Sequence, residues 1–486
     1  MTRGLARSGI RGAWFSGSST LVTSTVQAIK LVVLARLLTP EDFGVAGMAM
    51  VLIACGSVLA DLGVGAAVIQ KEDVPEPVLA RLYGLGLATG ALLFAVLCLG
   101  APLVARIYGE PRVGPVLLGL GLVFLVLPIG ALHQALAEKR LAFKRVAAIE
   151  VAASIVGATA AIAFAFSGGG VWALVTDQVA SATTKSTLLW AQGRASWRSR
   201  PSFRWGGLRP YLRFGAFSVG QRAANYATSN IDYALIGSLL GAHALGLYRI
   251  AYELATLTSG RLNIVVSRVF FPVMARFSAD RTRFRGAFLR MQETATLLGA
   301  PLVVGIGLVA PLAVPGLLGA RWTDAVPLLR VLCIVGLGRV IAGTIGPAIL
   351  AAGRPELGLR WSLTLVVIQV PAIALAVTRG GLTAVAWTFA VLQTVYVVLN
   401  YRLLVRTLFG SCLRSYLATI LPALGFCCAM ASAVAAVAWA ARGWTWPIAL
   451  AAEVAVGAAV YGGFVFAFKR SVVDELTLYS PGGGAA

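Results

Sequence analysis

Residues 35–44 read Ala35-Arg36-Leu37-Leu38-Thr39-Pro40-Glu41-Asp42-Phe43-Gly44, and the last six of them interrupt a long apolar segment. Proline and glycine among polar neighbours are typical of a break between two elements. The apolar windows on either side, 12–38 and 45–69, are each long enough to cross a bilayer, which takes about 20 residues. The stretch therefore predicts two membrane-spanning helices joined by a short connection.

The whole chain has the composition of a membrane protein. Of its 486 residues, 58% are hydrophobic and only 12% are charged, and the mean hydropathy is +0.84. Soluble domains are about 25% charged, so a water-soluble enzyme is excluded. We predict an all-α polytopic membrane protein.

Fourteen apolar windows of spanning length follow one another, separated by short breakers such as Gly168-Gly169-Gly170 and Arg379-Gly380-Gly381. The windows are 12–38, 45–69, 83–105, 114–136, 146–166, 171–191, 216–239, 246–269, 294–316, 331–351, 361–378, 382–399, 419–441 and 446–468. They predict about 14 transmembrane helices. The length of the first window and its many hydroxyl residues favour a retained helix over a cleaved signal peptide.

The positive charges are unevenly distributed along this pattern. The net charge of +22 would suggest a nucleic-acid partner in a soluble protein, but cytoplasmic loops of membrane proteins collect Lys and Arg. Of the 41 cations, 27 fall on the side of the amino terminus and 7 on the other. We therefore predict cytoplasmic termini and no nucleic-acid partner. Seven cations lie within or at the ends of spans: Lys30, Lys185, Arg222, Arg249, Arg261, Arg268 and Arg339.

Residues for covalent or metal chemistry are sparse. The six cysteines form no CxxC pair, and the two histidines, His133 and His243, are far apart in the sequence. The chain has no HExxH or Walker A motif. We expect no metal site, no cofactor and no enzymatic activity.

The two halves of the chain are related by a shift of 202 residues. The shift aligns 29–52 with 231–254 and gives six identities: Ile29/Ile231, Leu37/Leu239, Leu38/Leu240, Gly44/Gly246, Ala49/Ala251 and Leu52/Leu254. The basic segment 193–215 lies between the halves. We predict an N-terminal lobe of six helices (1–192), a cytoplasmic linker (193–215), a C-terminal lobe of six helices (216–410), and two further helices with a cytoplasmic tail (411–486).

The same shift superposes two polar stripes. On the first helix the stripe consists of Ser16, Thr20, Thr23, Gln27 and Lys30, and on the seventh it consists of Ser218, Arg222, Asn225, Ser229 and Asp232. Their spacing of three and four residues puts each stripe on one helical face. Because polar faces are costly against lipid, the stripes predict two walls of one water-accessible cavity, although ordinary interhelical hydrogen bonding would also produce them.

These residues resemble the Wzx-type polysaccharide flippases of the multidrug/oligosaccharidyl-lipid/polysaccharide exporter superfamily. The resemblance rests on residues 35–44, on Ala60-Asp61-Leu62-Gly63 with Ile69-Gln70, and on Leu245-Gly246-Leu247-Tyr248 with Ser267-Arg268-Val269-Phe270-Phe271-Pro272. It covers the first twelve helices.

The resemblance implies a fold and a function. It implies two six-helix lobes in a V shape around a central cavity, which work by alternating access in the bacterial cytoplasmic membrane. The implied cargo is an undecaprenyl-pyrophosphate-linked oligosaccharide for exopolysaccharide, capsule or O-antigen synthesis. Besides membrane lipids, the implied partners are a polysaccharide polymerase and export machinery.

A lipid pyrophosphate needs cations inside the membrane, because an unpaired charge is very costly there. Lys30 and Arg222 on the stripes are the first candidates, followed by Arg249 and Arg339. Glycines at 336, 338 and 343 would let a headgroup or a neighbouring helix approach Arg339 closely. The alternative for each cation is an interfacial position or a structural pair with an acid, for example Arg249 with Glu253.

The acids within the spans also have two interpretations. Asp61, Asp177 and Asp232 are candidates for coupling transport to an ion, or they pair with the membrane cations. Lys30 and Asp232 occupy equivalent positions under the shift of 202 residues, so a pair between them across the cavity is one possibility.

Other functions predict other sequence features. A cation-coupled drug or metabolite exporter of the same superfamily would favour a cavity of acids and aromatics over hydroxyl, amide and cationic groups. A membrane polymerase or glycosyltransferase should have a large loop or a cytoplasmic catalytic domain, which these short connections do not provide. A structural or regulatory membrane protein would not need paired polar stripes.

Overall fold

A computed structural model describes residues 22–60, 65, 68, 74–194, 197, 200–204 and 206–469. Within its helices the side chains of 209–225, 227–229, 261, 264–265, 268–269, 272, 355 and 359 lie outside the description. The described residues form helices and turns and include no strand. The chain is therefore all-α over this part, as its sequence predicts.

Fifteen α-helices and three shorter helical turns follow one another along the described part of the chain. The α-helices are α1 (22–37), α2 (Pro40–Ala60), α3 (Glu76–Tyr108), α4 (Val113–Gly121), α5 (Val123–Lys139), α6 (Phe143–Phe166), α7 (Trp172–Gly193), α8 (Arg209–Arg276), α9 (Arg281–Ala313), α10 (Ala325–Gly343), α11 (Ile345–Ala351), α12 (Pro355–Asn400), α13 (Arg406–Phe409), α14 (Leu413–Ala440) and α15 (Trp446–Phe468). Val314–Leu318 and Tyr401–Val405 are π-helical turns, and Ala320–Trp322 is a 3₁₀ turn.

Within the described residues the predicted windows fall on these helices, while 12–21 of the first window and part of 61–69 in the second lie outside the description. Ten helical segments in the described part are long and apolar enough to cross a membrane. The exact number of fourteen spans remains a prediction. Leucines on α3 fit a lipid-facing surface, since Leu99 is 85% exposed.

The stretch at residues 39–42 forms the cap of α2. The backbone N–H of Thr39 donates to Asp42 Oδ2 at 3.1 Å, and the N–H of Asp42 donates to Thr39 Oγ1 at 3.3 Å. This reciprocal pair satisfies backbone donors that a helix start leaves free, and Pro40 has no N–H to satisfy. The predicted break is thus a helix cap, and it places Glu41, Asp42 and Phe43 in the first turn of α2.

Two long helices are broken at glycine. Gly241 in α8 has φ 83° and ψ −178°, and Gly381 in α12 has φ 64° and ψ −157°. Only glycine adopts this backbone region without a large steric cost. Both breaks coincide with the predicted connections between neighbouring windows, namely 239–246 and 378–382.

The chain divides into two compact units by its internal contacts. One unit comprises Met1–Arg249 with Leu365–Val377, and the other comprises Ile250–Thr364 with Thr378–Ala486. In the second unit an aromatic cluster holds α9 against α13 and α14: Phe288 stacks on Phe409 of α13 at 4.5 Å and on Tyr416 of α14 at 6.3 Å between ring centroids. The lobes predicted from the repeat remain a prediction.

Candidate functional site

Lys30 is held by a carboxylate from a distant part of the chain. Its Nζ lies 2.6 Å from Oδ2 of Asp177, which places α1 against α7. The Lys30 side chain is 20% exposed and that of Asp177 is 10% exposed. Two opposite charges in a dry environment stabilise each other, and removing one of them leaves the other uncompensated. The site is therefore a mostly buried ion pair between two helices that the sequence predicts to span the membrane.

Two other described carboxylates within the predicted spans, Asp232 and Glu150, also have partners. Asp232 is fully buried, and its Oδ2 accepts a hydrogen bond from the hydroxyl of Tyr248 at 2.9 Å. Glu150 Oε1 lies 3.3 Å from Lys185 Nζ. Asp177, not Asp232, is thus the observed partner of Lys30.

Arg249 reaches from α8 to α2. Its Nη1 donates to the carbonyl of Phe43 at 3.3 Å, and its Nη2 lies 3.1 Å from the sulfur of Met50. The guanidinium therefore satisfies part of its donor set with neutral acceptors of α2. This contact anchors the second repeat to the first at the start of α2.

Arg339 on α10 is positioned by an aromatic side chain. Its guanidinium donates to the hydroxyl of Tyr252, and its central carbon lies 5.0 Å from the centroid of the same ring. Its backbone carbonyl accepts from Asn263 Nδ2 at 3.3 Å. A cation over an aromatic face is stabilised electrostatically.

The glycines beside Arg339 serve helix packing in this structure. A Cβ at Gly336 would overlap the carbonyl oxygen of Ala255, and one at Gly338 would overlap the side chain of Gln393. A Cβ at Gly343 would overlap the amide of Asn263. Of the two roles predicted for these glycines, approach by a neighbouring helix is the one observed.

The two repeats cross each other symmetrically at the starts of their equivalent segments. A Cβ added to Gly44 would overlap the carbonyl oxygen of Ala242, and one added to Gly246 would overlap the carbonyl oxygen of Pro40. Since 242 is 40 shifted by 202, and 246 is 44 shifted by 202, each contact is the counterpart of the other. Only glycine fits where two backbones approach so closely. One of the six sequence identities, Gly44/Gly246, therefore occupies equivalent positions in the structure as well.

A contact between a carboxylate and an imidazole lies at this crossing. Glu41 and His243 are themselves equivalent under the shift, and Oε1 of Glu41 lies 2.5 Å from Nδ1 of His243. Sequence reasoning considered His243 only as a metal ligand. Applying the shift to every residue of 35–44, and not only to the identities, would have paired it with Glu41.

Arg112 connects the turn before α4 with α2. Its Nε lies 2.9 Å from Glu110 Oε1, and its Nη1 lies 3.9 Å from Asp42 Oδ1. The hydrogen bond from Arg112 lowers the pKa of Glu110 below the ordinary glutamate value. The ion pair between Arg112 and Glu110 therefore persists to a lower pH than it would with an unperturbed carboxyl. It is lost as the pH falls through the lowered pKa of Glu110.

Several predicted site residues lie outside the described part of the molecule. They are Ser16, Thr20 and Asp61 as whole residues, and Ser218, Arg222, Asn225 and Ser229 as side chains. On α1, Thr23 is half-buried and Gln27 is exposed. Among the described residues no group of three or more His, Cys, Asp or Glu is placed to hold a metal ion.

The long apolar helices define a multi-pass membrane protein, and their fold is that of a solved flippase. A solved structure of the lipid II flippase MurJ in an inward closed conformation superposes with a TM-score of 0.76 at 13% identity, covering 94% of this chain and 99% of that one. Residues 33–327 match a family described as polysaccharide biosynthesis protein, and the chain belongs to that family.

Two relatives are similar over most of their length. The teichuronic acid biosynthesis protein TuaB of Bacillus subtilis (strain 168) is 31% identical over 384 residues, or 79% of this chain and 80% of that protein. The lipopolysaccharide biosynthesis protein WzxC of Escherichia coli (strain K12) is 26% identical over 411 residues, or 85% of this chain and 84% of that protein.

Proposed function

We propose that this protein is a flippase that moves undecaprenyl-pyrophosphate-linked oligosaccharides across the bacterial cytoplasmic membrane by alternating access. The products it serves are exopolysaccharide, capsule or O-antigen. The family, the polymer biosynthesis proteins among its relatives and the fold shared with a lipid II flippase support this proposal. The protein itself makes or breaks no covalent bond in this scheme.

The observation that carries the mechanism is the symmetric crossing of the two repeats. Equivalent segments, 40–44 and 242–246, meet through glycine and carbonyl groups. In the orientation favoured by the charge distribution this crossing lies at the extracytoplasmic ends of the spans. Alternating access needs such a contact in the state that is closed on that side. Backbone surfaces without interlocking bulky side chains are suited to separate when the other side closes.

The Lys30–Asp177 pair is the proposed first part of the headgroup site. A cation held by a single carboxylate is stable in the empty protein, yet it keeps donors available for an anion of higher charge. A pyrophosphate brings about two negative charges and several acceptor oxygens, so it competes with Asp177 for the ammonium group. Arg339, Arg249 and Arg222 are the further cations of this proposal.

The remaining assignments follow from the sequence. Both termini and the linker 193–215 are cytoplasmic. The two lobes are residues 1–192 and 216–410, and the helices of 411–486 belong to neither lobe. Asp61, Asp177 and Asp232 are the candidates for coupling to an ion. A polymerase and export machinery receive the cargo after it has crossed the membrane.

The test is an analysis of lipid-linked oligosaccharides in a strain that lacks this protein. We expect complete repeat units to accumulate on lipid in the cytoplasmic leaflet, with loss of surface polymer and recovery on complementation. Lipid-linked units that stop at an incomplete sugar sequence would instead indicate a transferase. Unchanged lipid-linked units and polymer would contradict the proposal.

A further inference from the structure

A small basic cavity lies where α5 ends, α6 begins and α7 ends. Its volume is about 80 Å³, which is above the minimum that a bound polar group needs. Two arginines, Arg140 directly after α5 and Arg145 in the first turn of α6, line it together with Gln192 of α7. The rest of the wall is mostly apolar and includes Leu136, Val146 and Leu189. The cavity thus combines guanidinium donors with a hydrocarbon wall.

The two arginines have N–H donors available for a ligand. Arg140 and Arg145 are exposed, and among the described residues neither has a carboxylate within 4 Å. The acid nearest in sequence, Glu138, accepts a hydrogen bond from Gln134 Nε2 at 2.8 Å. Among the described residues that line the cavity there is no carboxylate beside Arg140 and Arg145. The local potential therefore favours an anion.

The start of α6 adds to this potential. Ala142, the residue before the first turn of α6, makes no side-chain cap, and it lines the cavity. Backbone N–H groups at a helix start carry a partial positive charge, which favours an anion at that place. The helix start and the two arginines point to the same class of ligand.

The cavity is at the level of the membrane surface. The candidate spans Val113–Lys139 and Phe143–Phe166 end and begin at this connection. Leu141 between them is 52% exposed and has a φ of 57°, so an apolar side chain stands at the turn among the cations. Basic residues directly beside the ends of spans lie at the depth of lipid phosphates. A soluble anion has no hydrocarbon groups that could pack against the apolar wall.

We propose that this cavity binds the phosphate of an anionic phospholipid. The guanidinium groups of Arg140 and Arg145 donate to the phosphate oxygens, and the apolar wall accommodates the glycerol backbone and the first methylene groups. The site is separate from the Lys30–Asp177 pair. Nothing in this proposal depends on the identity of the transported cargo.

The experiment uses the purified full-length chain in a neutral detergent. Thermal unfolding and native mass spectrometry are recorded with added phosphatidylglycerol, phosphatidylcholine or inorganic phosphate at matched concentrations. We expect phosphatidylglycerol to bind and to raise Tm, and the other two to do so at least about tenfold more weakly. Added salt should weaken the binding, since exposed charges are screened.

Substitution then locates the site. The double variant Arg140→Gln, Arg145→Gln should bind phosphatidylglycerol at least about tenfold more weakly, because it loses two charge-assisted contacts. The matched control is Arg402→Gln, Arg406→Gln, which removes two exposed arginines on the same predicted side of the membrane. Equal loss in both double variants would overturn the proposal.

The remaining outcomes also decide the question. If inorganic phosphate protects as well as the lipid, the cavity is a site for a soluble anion and the lipid proposal is wrong. If both lipids bind the native protein and added salt does not weaken the binding, the contact is apolar and the proposal is wrong. The salt series needs no variant, so it decides even if the double variant folds poorly.

Discussion

Lys30 and Asp177 illustrate how much one residue depends on another 147 positions away. Both side chains are mostly withdrawn from water, so each is costly without the other. A substitution of Lys30 alone therefore changes two properties: it removes a cation from the proposed headgroup site, and it leaves an unpaired carboxylate.

The double variant separates these two effects. We expect Lys30→Ala to destabilise the protein by about 3 kcal/mol, because Asp177 loses its partner, and Lys30→Ala with Asp177→Asn to recover most of that stability. Surface polymer per unit of protein should fall at least about tenfold in both, since the cation is absent in both. Thermal unfolding and polymer yield are the two measurements.

The matched control is Lys185→Ala, which breaks the more exposed pair with Glu150. We expect it to keep polymer output, as we do for Arg200→Ala and Arg204→Ala in the basic linker. Recovery of polymer output in the double variant would show that Lys30 acts only as a structural partner.

Tyr252 holds Arg339 in two ways, and substitution can separate them. Tyr252→Phe removes the hydroxyl acceptor but keeps the ring under the guanidinium, so we expect a loss of about 1 kcal/mol in stability and little loss of export. Tyr252→Leu removes both and should reduce export strongly. The control is Tyr396→Phe, because the buried Tyr396 hydroxyl has no hydrogen-bond partner among the described residues. Equal export in the Phe and Leu variants would contradict a role of the ring.

At the scale of the helices, the crossing of 40–44 with 242–246 depends on two glycines. We expect Gly44→Ala and Gly246→Ala each to destabilise the protein by about 3 kcal/mol or more, because the added methyl group meets a backbone carbonyl that cannot rotate away. Thermal unfolding in detergent is the measurement.

Gly305→Ala on α9 is the control, since a Cβ there meets nothing within 4 Å. Alanine is the better helix former by about 0.5–1 kcal/mol, so this variant should be as stable as the native protein or more so. A tolerated alanine at both crossing positions would mean that the two segments do not approach so closely.

The helices themselves were predictable, and their contacts were predictable only in part. Apolar windows and the breakers at 39–44, 241 and 381 locate the elements, because both signals are local. The partner of Lys30 was not predictable, because no local pattern relates α1 to α7. The Glu41–His243 contact was predictable in part. It follows from the repeat if equivalent positions of the two repeats are assumed to meet.

At the scale of the whole molecule, the charge distribution predicts one orientation in the membrane. In a cysteine-free background, we expect a cysteine at position 200 to react with a membrane-impermeant thiol reagent only after the cells are opened. A cysteine at 442 should react in intact cells, because the rule that cations collect in the cytoplasm places this turn outside. Both native arginines are exposed, so access to the reagent is not limited by burial. Labelling of position 200 in intact cells would show that the protein has the opposite orientation.

The contact between Glu41 and His243 bears on how a protein with two repeats in one chain evolves. If the two repeats were separate, identical subunits of a homodimer, a residue on the two-fold axis would face its own copy, and Glu41 would meet a second glutamate and be repelled. Within one chain the two positions are encoded separately, and one of them carries histidine. Two repeats in one chain can therefore place a histidine opposite Glu41, where two identical repeats would bring two glutamates together.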